Sequence, residues 1–219
     1  MSSTTYAHPH SQAAPENRRT PVEKSVRTAV PSEAVHTGIW VGVAAISMTF
    51  AALTSAMVVR EGSGSDWQRF ALPGVLYFNT LVLLASSVTM ELGRRRFAGA
   101  CAAATEKTIV DCPRPTCYWL SLTLALGLIF VFGQVLAWRN LAAQGVFLAT
   151  SPTSSFFYVF TALHALHVLG GLVALVYVLY RLSHIGGSSQ RSAVGAAAVY
   201  WHFMDLLWLY LLAVIAARM

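Results

Sequence analysis

From about residue 37 onward, apolar residues fall into five long runs separated by polar breaks, at roughly 37–59, 71–93, 117–138, 155–180 and 194–217. Each run has about 22–26 residues, or about 33–39 Å of α-helix at 1.5 Å per residue, enough to cross a hydrocarbon core of about 30 Å with some tilt. Turn and capping residues mark the breaks: Gly62-Ser63-Gly64, Pro73-Gly74, Ser151-Pro152 and Gly186-Gly187-Ser188-Ser189. The predicted fold is all-α, an integral membrane bundle of five transmembrane helices occupying residues 37–219. Residues 1–36 are polar, with Pro9, Pro15, Pro21 and Pro31 opposing any long helix, and they lack the apolar core and cleavage site of a signal peptide. They are expected to form a disordered cytoplasmic tail, in which His8 and His10 are too few to make a metal site.

Composition sharpens this picture. Hydrophobic residues make up 56% of the chain and charged residues 11%, against roughly a quarter charged and under half apolar in a soluble domain. The net charge of +6 does not form a basic stripe interleaved with aromatics, so nucleic-acid binding is excluded. The basic residues instead set an orientation. Arg18, Arg19, Lys24, Arg27, Arg94, Arg95, Arg96, Lys107, Arg114, Arg181 and Arg191 fall on one side; Arg60, Arg69, Arg139 and Arg218 fall on the other. The positive-inside rule then places the N-terminus in the cytoplasm and the C-terminus outside, with Trp40, Trp119 and Trp138 near helix ends as interfacial anchors. Cys101, Cys112 and Cys117 lie in or beside one connection; Cys112 and Cys117 are too widely spaced for a zinc pair, and reduced, unligated thiols are expected.

Ionisable groups within the apolar runs are costly and therefore become the candidate functional residues. His164 and His167 are three apart in the fourth run, and His202 and Asp205 repeat that spacing in the fifth; each pair lies near one face of its helix. A short connection makes the two helices antiparallel neighbours. The rise per residue puts His164 about 13 Å and His167 about 18 Å from the outer end of their helix, and His202 and Asp205 at about 18 Å and 14 Å on the same scale. The four groups are thus expected to meet across the hairpin, His167 level with His202 and His164 with Asp205, with an imidazole hydrogen-bonding the carboxyl. Three roles remain open for this cluster: helix-coupling polar glue, with Gly170 and Gly171 permitting close approach; contact with a lipid headgroup or another subunit; and proton movement or haem ligation. A haem between His167 and His202 would lack a second pair and face Asp205, so no catalytic residue, metal ligand or redox centre is expected in this chain. Glu91, beside Arg94, Arg95 and Arg96, reads as an interfacial ion pair. Asn79 and Gln134 read as interhelical hydrogen-bonding groups.

The pattern T-x-x-H-x-x-H-V-x-G-G at 161–171, followed by Y-W-H-F-x-D-x-x-W at 200–208, closely resembles subunit III of the haem–copper cytochrome c oxidases. Phe50-Ala51-Ala52-Leu53-Thr54-Ser55-Ala56 with Arg60, Asn79-Thr80-Leu81-Val82-Leu83-Leu84-Ala85-Ser86-Ser87, Gly127 through Gln134 to Trp138, and Ser154-Ser155-Phe156-Phe157 resemble the same family. The likeness covers about 37–217 and corresponds to the last five helices of the seven-helix members, as in a short bacterial form. One departure stands out. Many relatives carry a glutamate in S-E-V-x-F-F, where this chain has Ile46 in Ala45-Ile46-Ser47-Met48-Thr49-Phe50, so that carboxylate's function does not transfer.

The resemblance implies a multi-pass subunit of the bacterial inner membrane. It would have no redox centre of its own and would support assembly and sustained turnover in a proton-translocating complex of aerobic respiration. Haem and copper would sit in partner subunits. The implied partners are oxidase subunits I and II, a small subunit IV, membrane phospholipid and a respiratory supercomplex. Trp201, Trp208, Glu91 and Asn79 are the residues expected at lipid or subunit contacts, beside the coupling cluster His164, His167, His202 and Asp205. The electron donor is left open between cytochrome c and quinol. An accessory protein of nitric oxide reductase and a stand-alone ion transporter are the alternatives.

Overall fold

The structure is a computed structural model, and it describes residues 32–67, 72–103, 114–184 and 191–218, with the side chains of 32–36 and 114 outside that description. Residues 1–31 of the predicted tail, Lys107 and Cys112 fall outside the described residues, and residues 32–36, expected in that tail, are helical. Five helices follow one another: α1 Ser32–Ser63, α2 Val75–Ala103, α3 Arg114–Ala143, α4 Pro152–His184 and α5 Arg191–Arg218. All five are long and apolar enough to cross a membrane, and no strand occurs among the described residues. With 28–33 residues apiece, they reach about 42–50 Å, more than a bilayer core of about 30 Å.

The helices are longer than the apolar runs that announced them. α2 runs on through Arg94, Arg95 and Arg96 to Ala103, which places those arginines on a helix and not in a loop. Apolar patterning stops at the first charge, whereas the backbone continues through Arg and Ala until a breaker arrives. Breakers do set the other ends. Pro73-Gly74 delays α2 to Val75, with the Leu76 amide donating to Pro73 O at 3.0 Å. Ser151 caps α4: its Oγ accepts from the Ser154 amide at 3.2 Å, and Pro152 stands at the first helical position. Gly145 closes α3 at φ 79°, where the Val146 amide reaches back to Leu141 O at 3.1 Å.

α2, α3, α4 and α5 form a closed ring in which each helix packs on two others, and α1 lies outside against α5 and α4. The ring surrounds a core that includes Leu83, Phe130, Phe157, Leu172, Trp208 and Leu211. Glycines permit its closest approaches: a Cβ at Gly127 would lie 2.8 Å from both Leu172 and the Trp201 ring. α1 buries Phe50 and Met57, yet only 11% of its apolar span is covered, against 39–44% in the other four. Its far end is pinned by polar contacts. Tyr210 donates to Thr54 at 3.0 Å, and Arg218 pairs with Glu61 at 2.8 Å. Arg60 lies 2.7 Å from Asp66 and holds that carboxyl below its usual range.

One expectation about the thiols is overturned. Cys101 is free, but Cys117 is disulfide-bonded. The expectation came from placing this connection in a reducing compartment; cysteine spacing alone carries no redox information.

Candidate functional site

The polar groups gather where α5 crosses α2. Trp201 and Trp208 are two turns apart on one face of α5, and their indole N–H groups donate to Ser86 Oγ and Thr80 Oγ1 on α2, each at 3.0 Å. One residue further along both helices, His202 Nδ1 lies 2.6 Å from Ser87 Oγ. The other ring nitrogen, Nε2, stands 3.7 Å from Glu91 Oε2. Glu91 in turn accepts two 2.7 Å hydrogen bonds from Arg94 and one of 2.6 Å from Arg95. These are the i,i+3 and i,i+4 partners a helix places beside it, and the two-pronged arginine contact is the strong form of such a pair. Inward of His202, Asp205 is 4% exposed. Its carboxyl has the Ser87 hydroxyl beside it, and neither oxygen accepts a well-formed hydrogen bond.

The α4 histidines sit apart from this line. His164 is fully buried, and neither ring nitrogen has a hydrogen-bond partner. Its ring packs 5.0 Å from Trp208 and 5.9 Å from Phe130, which are 5.1 Å from each other. His167 turns toward α1: its ring is 6.0 Å from Phe50, and Nδ1 lies 2.7 Å from Leu163 O on its own helix. The backbone oxygen of His167 accepts from the Tyr200 hydroxyl at 3.0 Å, which ties α4 to α5.

The four-residue cluster expected from depth therefore does not form. Among the described residues, no imidazole hydrogen-bonds Asp205. His202 engages α2, His164 faces the ring core and His167 faces α1. Rise per residue fixes the level of a side chain along the helix axis, but rotation about that axis decides which neighbour it meets. Exposure corrects a second expectation. Trp201, Trp208 and Asn79 were expected at a lipid or subunit contact, but they are 3%, 1% and 1% exposed. α2 supplies hydroxyl acceptors for both indoles and Gly127 leaves room for the Trp201 ring, so burial is possible without orphaning the N–H. Asn79 donates to Phe130 O at 3.4 Å and occupies the space left by Gly133. Gln134, expected to bond between helices, is buried with its amide unpartnered. Glu91 alone of that group keeps an outer position, its side chain 25% exposed.

Thr80, Ser86 and Ser87 are the functional residues that sequence reasoning passed over. The signal was present: Thr80, Ser87, Glu91 and Arg94 recur at intervals of seven, four and three and so share one stripe of α2. Thr89 and Thr123, hydrogen-bonded at 2.8 Å, tie α2 to α3 in the same way. Among the described residues, no three His, Cys, Asp or Glu side chains converge as metal ligands. Between α4 and α5, an apolar cleft of about 420 Å³ is lined by Gly170, Gly171, Ala197 and Tyr200 among others.

The sequence model of the family described as cytochrome c oxidase subunit III matches residues 35–217. The chain is 32% identical over 137 residues to a protein of Mycobacterium tuberculosis named probable cytochrome c oxidase subunit 3, a match covering 62% of each chain. It is 30% identical over 159 residues to cytochrome c oxidase subunit 3 of Synechocystis, covering 72% of this chain and 61% of that one. Against cytochrome c oxidase subunit 3 of Thermostichus vulcanus, identity is 29% over 179 residues, or 80% and 82% of the two chains. This chain thus spans about three fifths of the mycobacterial and Synechocystis relatives.

Proposed function

Because this chain belongs to the cytochrome c oxidase subunit III family, we propose that it is the third membrane subunit of a bacterial respiratory oxidase passing electrons from cytochrome c to oxygen. The observation that carries this reading is the extent of the family match, residues 35–217, which takes in nearly the whole five-helix bundle. In this role the chain carries no redox centre. Haem and copper belong to subunits I and II, and the third subunit steadies the assembly through many turnovers. Its N-terminus faces the cytoplasm, as the basic residues on the α2–α3 and α4–α5 sides favour.

Two features support a supporting role. His167 and His202 turn to different neighbours, so they do not present opposed ligands to one haem. The bundle leaves α1 largely bare and opens an apolar cleft between α4 and α5, which suits it to lie against lipid tails and partner helices.

The test is to tag the chain, extract it in mild detergent, and record a reduced-minus-oxidised haem spectrum with mass spectrometry of the accompanying chains. An a-type haem signal, a large haem–copper subunit and a copper-binding subunit II are expected. A colourless chain purifying alone in several mild detergents overturns the reading.

A further inference from the structure

Asp205 poses a problem that the supporting role leaves unsolved. It stands 14 residues from Arg191 and 13 from Arg218, at the middle of α5, is 4% exposed, and among the described residues neither of its oxygens is hydrogen-bonded to a basic side chain. A buried carboxyl with no such partner bears its charge at high cost and relieves that cost by taking up a proton. For that it needs a route to water.

The residues beside it form one. Arg95, Arg94, Glu91, His202, Ser87 and Asp205 follow one another from the α2 C-terminal end of the bundle inward, and from Glu91 on they alternate between α2 and α5. Glu91 meets the two guanidinium groups at 2.6–2.7 Å. His202 meets Glu91 at 3.7 Å and Ser87 at 2.6 Å; Ser87 stands beside Asp205. The outer members are open to their surroundings, Arg95 at 73%, Arg94 at 44%, His202 at 37% and Glu91 at 25%, whereas Asp205 at the inner end is 4% exposed. Ser87 and Glu91 are four apart on α2, and His202 and Asp205 three apart on α5, so antiparallel packing interleaves them. We infer that Asp205 is a proton-exchanging site, reached from the α2 C-terminal face through Glu91, His202 and Ser87.

Each transfer forms one O–H or N–H bond as another breaks. A proton from water enters at the Glu91 carboxylate and passes to His202 Nε2. The proton on Nδ1 moves to Ser87 Oγ, and the hydrogen already on Ser87 moves to Asp205. The sum is one proton removed from water and one carboxylate neutralised; the imidazole changes tautomer and resets by a ring flip. Neither the 3.7 Å contact between Glu91 and His202 nor the approach of Ser87 to Asp205 is a hydrogen bond at rest, and each closes by a small side-chain movement or one bridging water. Of the other titratable groups on α4 and α5, His164 and His167 face Trp208 and Phe50, Tyr200 and Tyr210 donate to His167 O and Thr54, and Arg181 and His184 lie at the α4 C-terminal end against Tyr177 and Tyr180. On α1, Arg60 and Glu61 lie toward the opposite end, engaged by Asp66 and Arg218.

The inference concerns this chain's own residues and stands apart from the oxidase reading, so its test does not use oxygen reduction. The full chain, with carboxyl-¹³C aspartate, is placed in lipid nanodiscs and transferred from H₂O to D₂O while the protonated-carboxyl infrared band is followed. A band that is lost in Asp205→Asn and shifts promptly on transfer is expected, with exchange slowed at least about tenfold in His202→Phe and in Glu91→Gln. Absence of any Asp205 carboxylic band between pH 5 and pH 8 overturns the inference. So does an exchange rate in the folded variants equal to that of the unsubstituted chain. Should His202→Phe fail to fold, Glu91→Gln, which alters α2 near the surface, decides the matter alone.

Discussion

His202 Nδ1 lies 2.6 Å from Ser87 Oγ, one residue along each helix from the 3.0 Å bond between Trp201 and Ser86. Two consecutive residues of α5 thus hold two consecutive hydroxyls of α2, the first buried and the second at the bundle's edge. Two turns further along α5, Trp208 repeats the contact with Thr80. α2 and α5 are therefore held in register by side-chain pairs, in a setting where apolar burial against lipid gives little drive for association.

The register contacts should behave as pairs. Trp208→Phe keeps a ring against His164 and Phe130 but loses the N–H donor to Thr80, and should cost about 1 kcal/mol. Thr80→Val should cost a similar amount, and the double variant little more than either alone. Thermal unfolding in one detergent checks this; simple additivity would mean the bond contributes nothing.

Buried polar atoms without partners make the opposite forecast. His164 is fully buried and neither ring nitrogen is bonded. Replacing it by Phe removes the cost of two unsatisfied polar atoms, about 1–3 kcal/mol each at the upper end, while keeping a flat ring against Trp208. His164→Phe should therefore leave the midpoint of thermal unfolding unchanged or raise it. A clear fall would show that the imidazole holds a buried water.

Glycines at the contacts should separate sharply from those on the open face. Gly127→Ala drives a methyl to 2.8 Å from Leu172 and Trp201 and should destabilise by about 1–3 kcal/mol. Gly42→Ala meets nothing within 4 Å and should be neutral or slightly stabilising in the isolated chain. Loss of complex on size-exclusion chromatography with an unchanged isolated chain would place a partner helix at Gly42.

At the ion pair, Glu91→Gln leaves Arg94 and Arg95 without their shared carboxylate. The site is partly exposed, so a loss on the order of 1 kcal/mol is expected, growing weaker with added salt. Arg94→Gln in the Glu91→Gln background should recover part of it. Melting curves at low and high salt check both statements.

On the proposed function, Asp205→Ala should shorten the working life of the assembled oxidase while leaving its first turnovers nearly intact. Progress curves of oxygen uptake, read separately for initial rate and for inactivation, distinguish the two effects. Stable turnover at the unsubstituted rate would deny Asp205 any supporting role.

By itself, the sequence determined that there are five membrane-spanning helices, since twenty or more apolar residues in a row have few other stable fates. It also singled out the ionisable groups of the apolar runs, because His164, His167, His202 and Asp205 stand out wherever they fall in one. Helix ends were legible where a breaker stands, at Pro73-Gly74 and Ser151-Pro152, and were misplaced where charges continue the helix, as at Arg94–Arg96. What the sequence left undecided was azimuth. Only the tertiary structure turned His202 toward Ser87, His164 toward Trp208 and His167 toward Phe50. Only it drew Trp201 and Trp208 inside the ring. Axial position follows from counting residues, but rotation follows from how side chains of all five helices share one interior, and no single run of sequence contains that information.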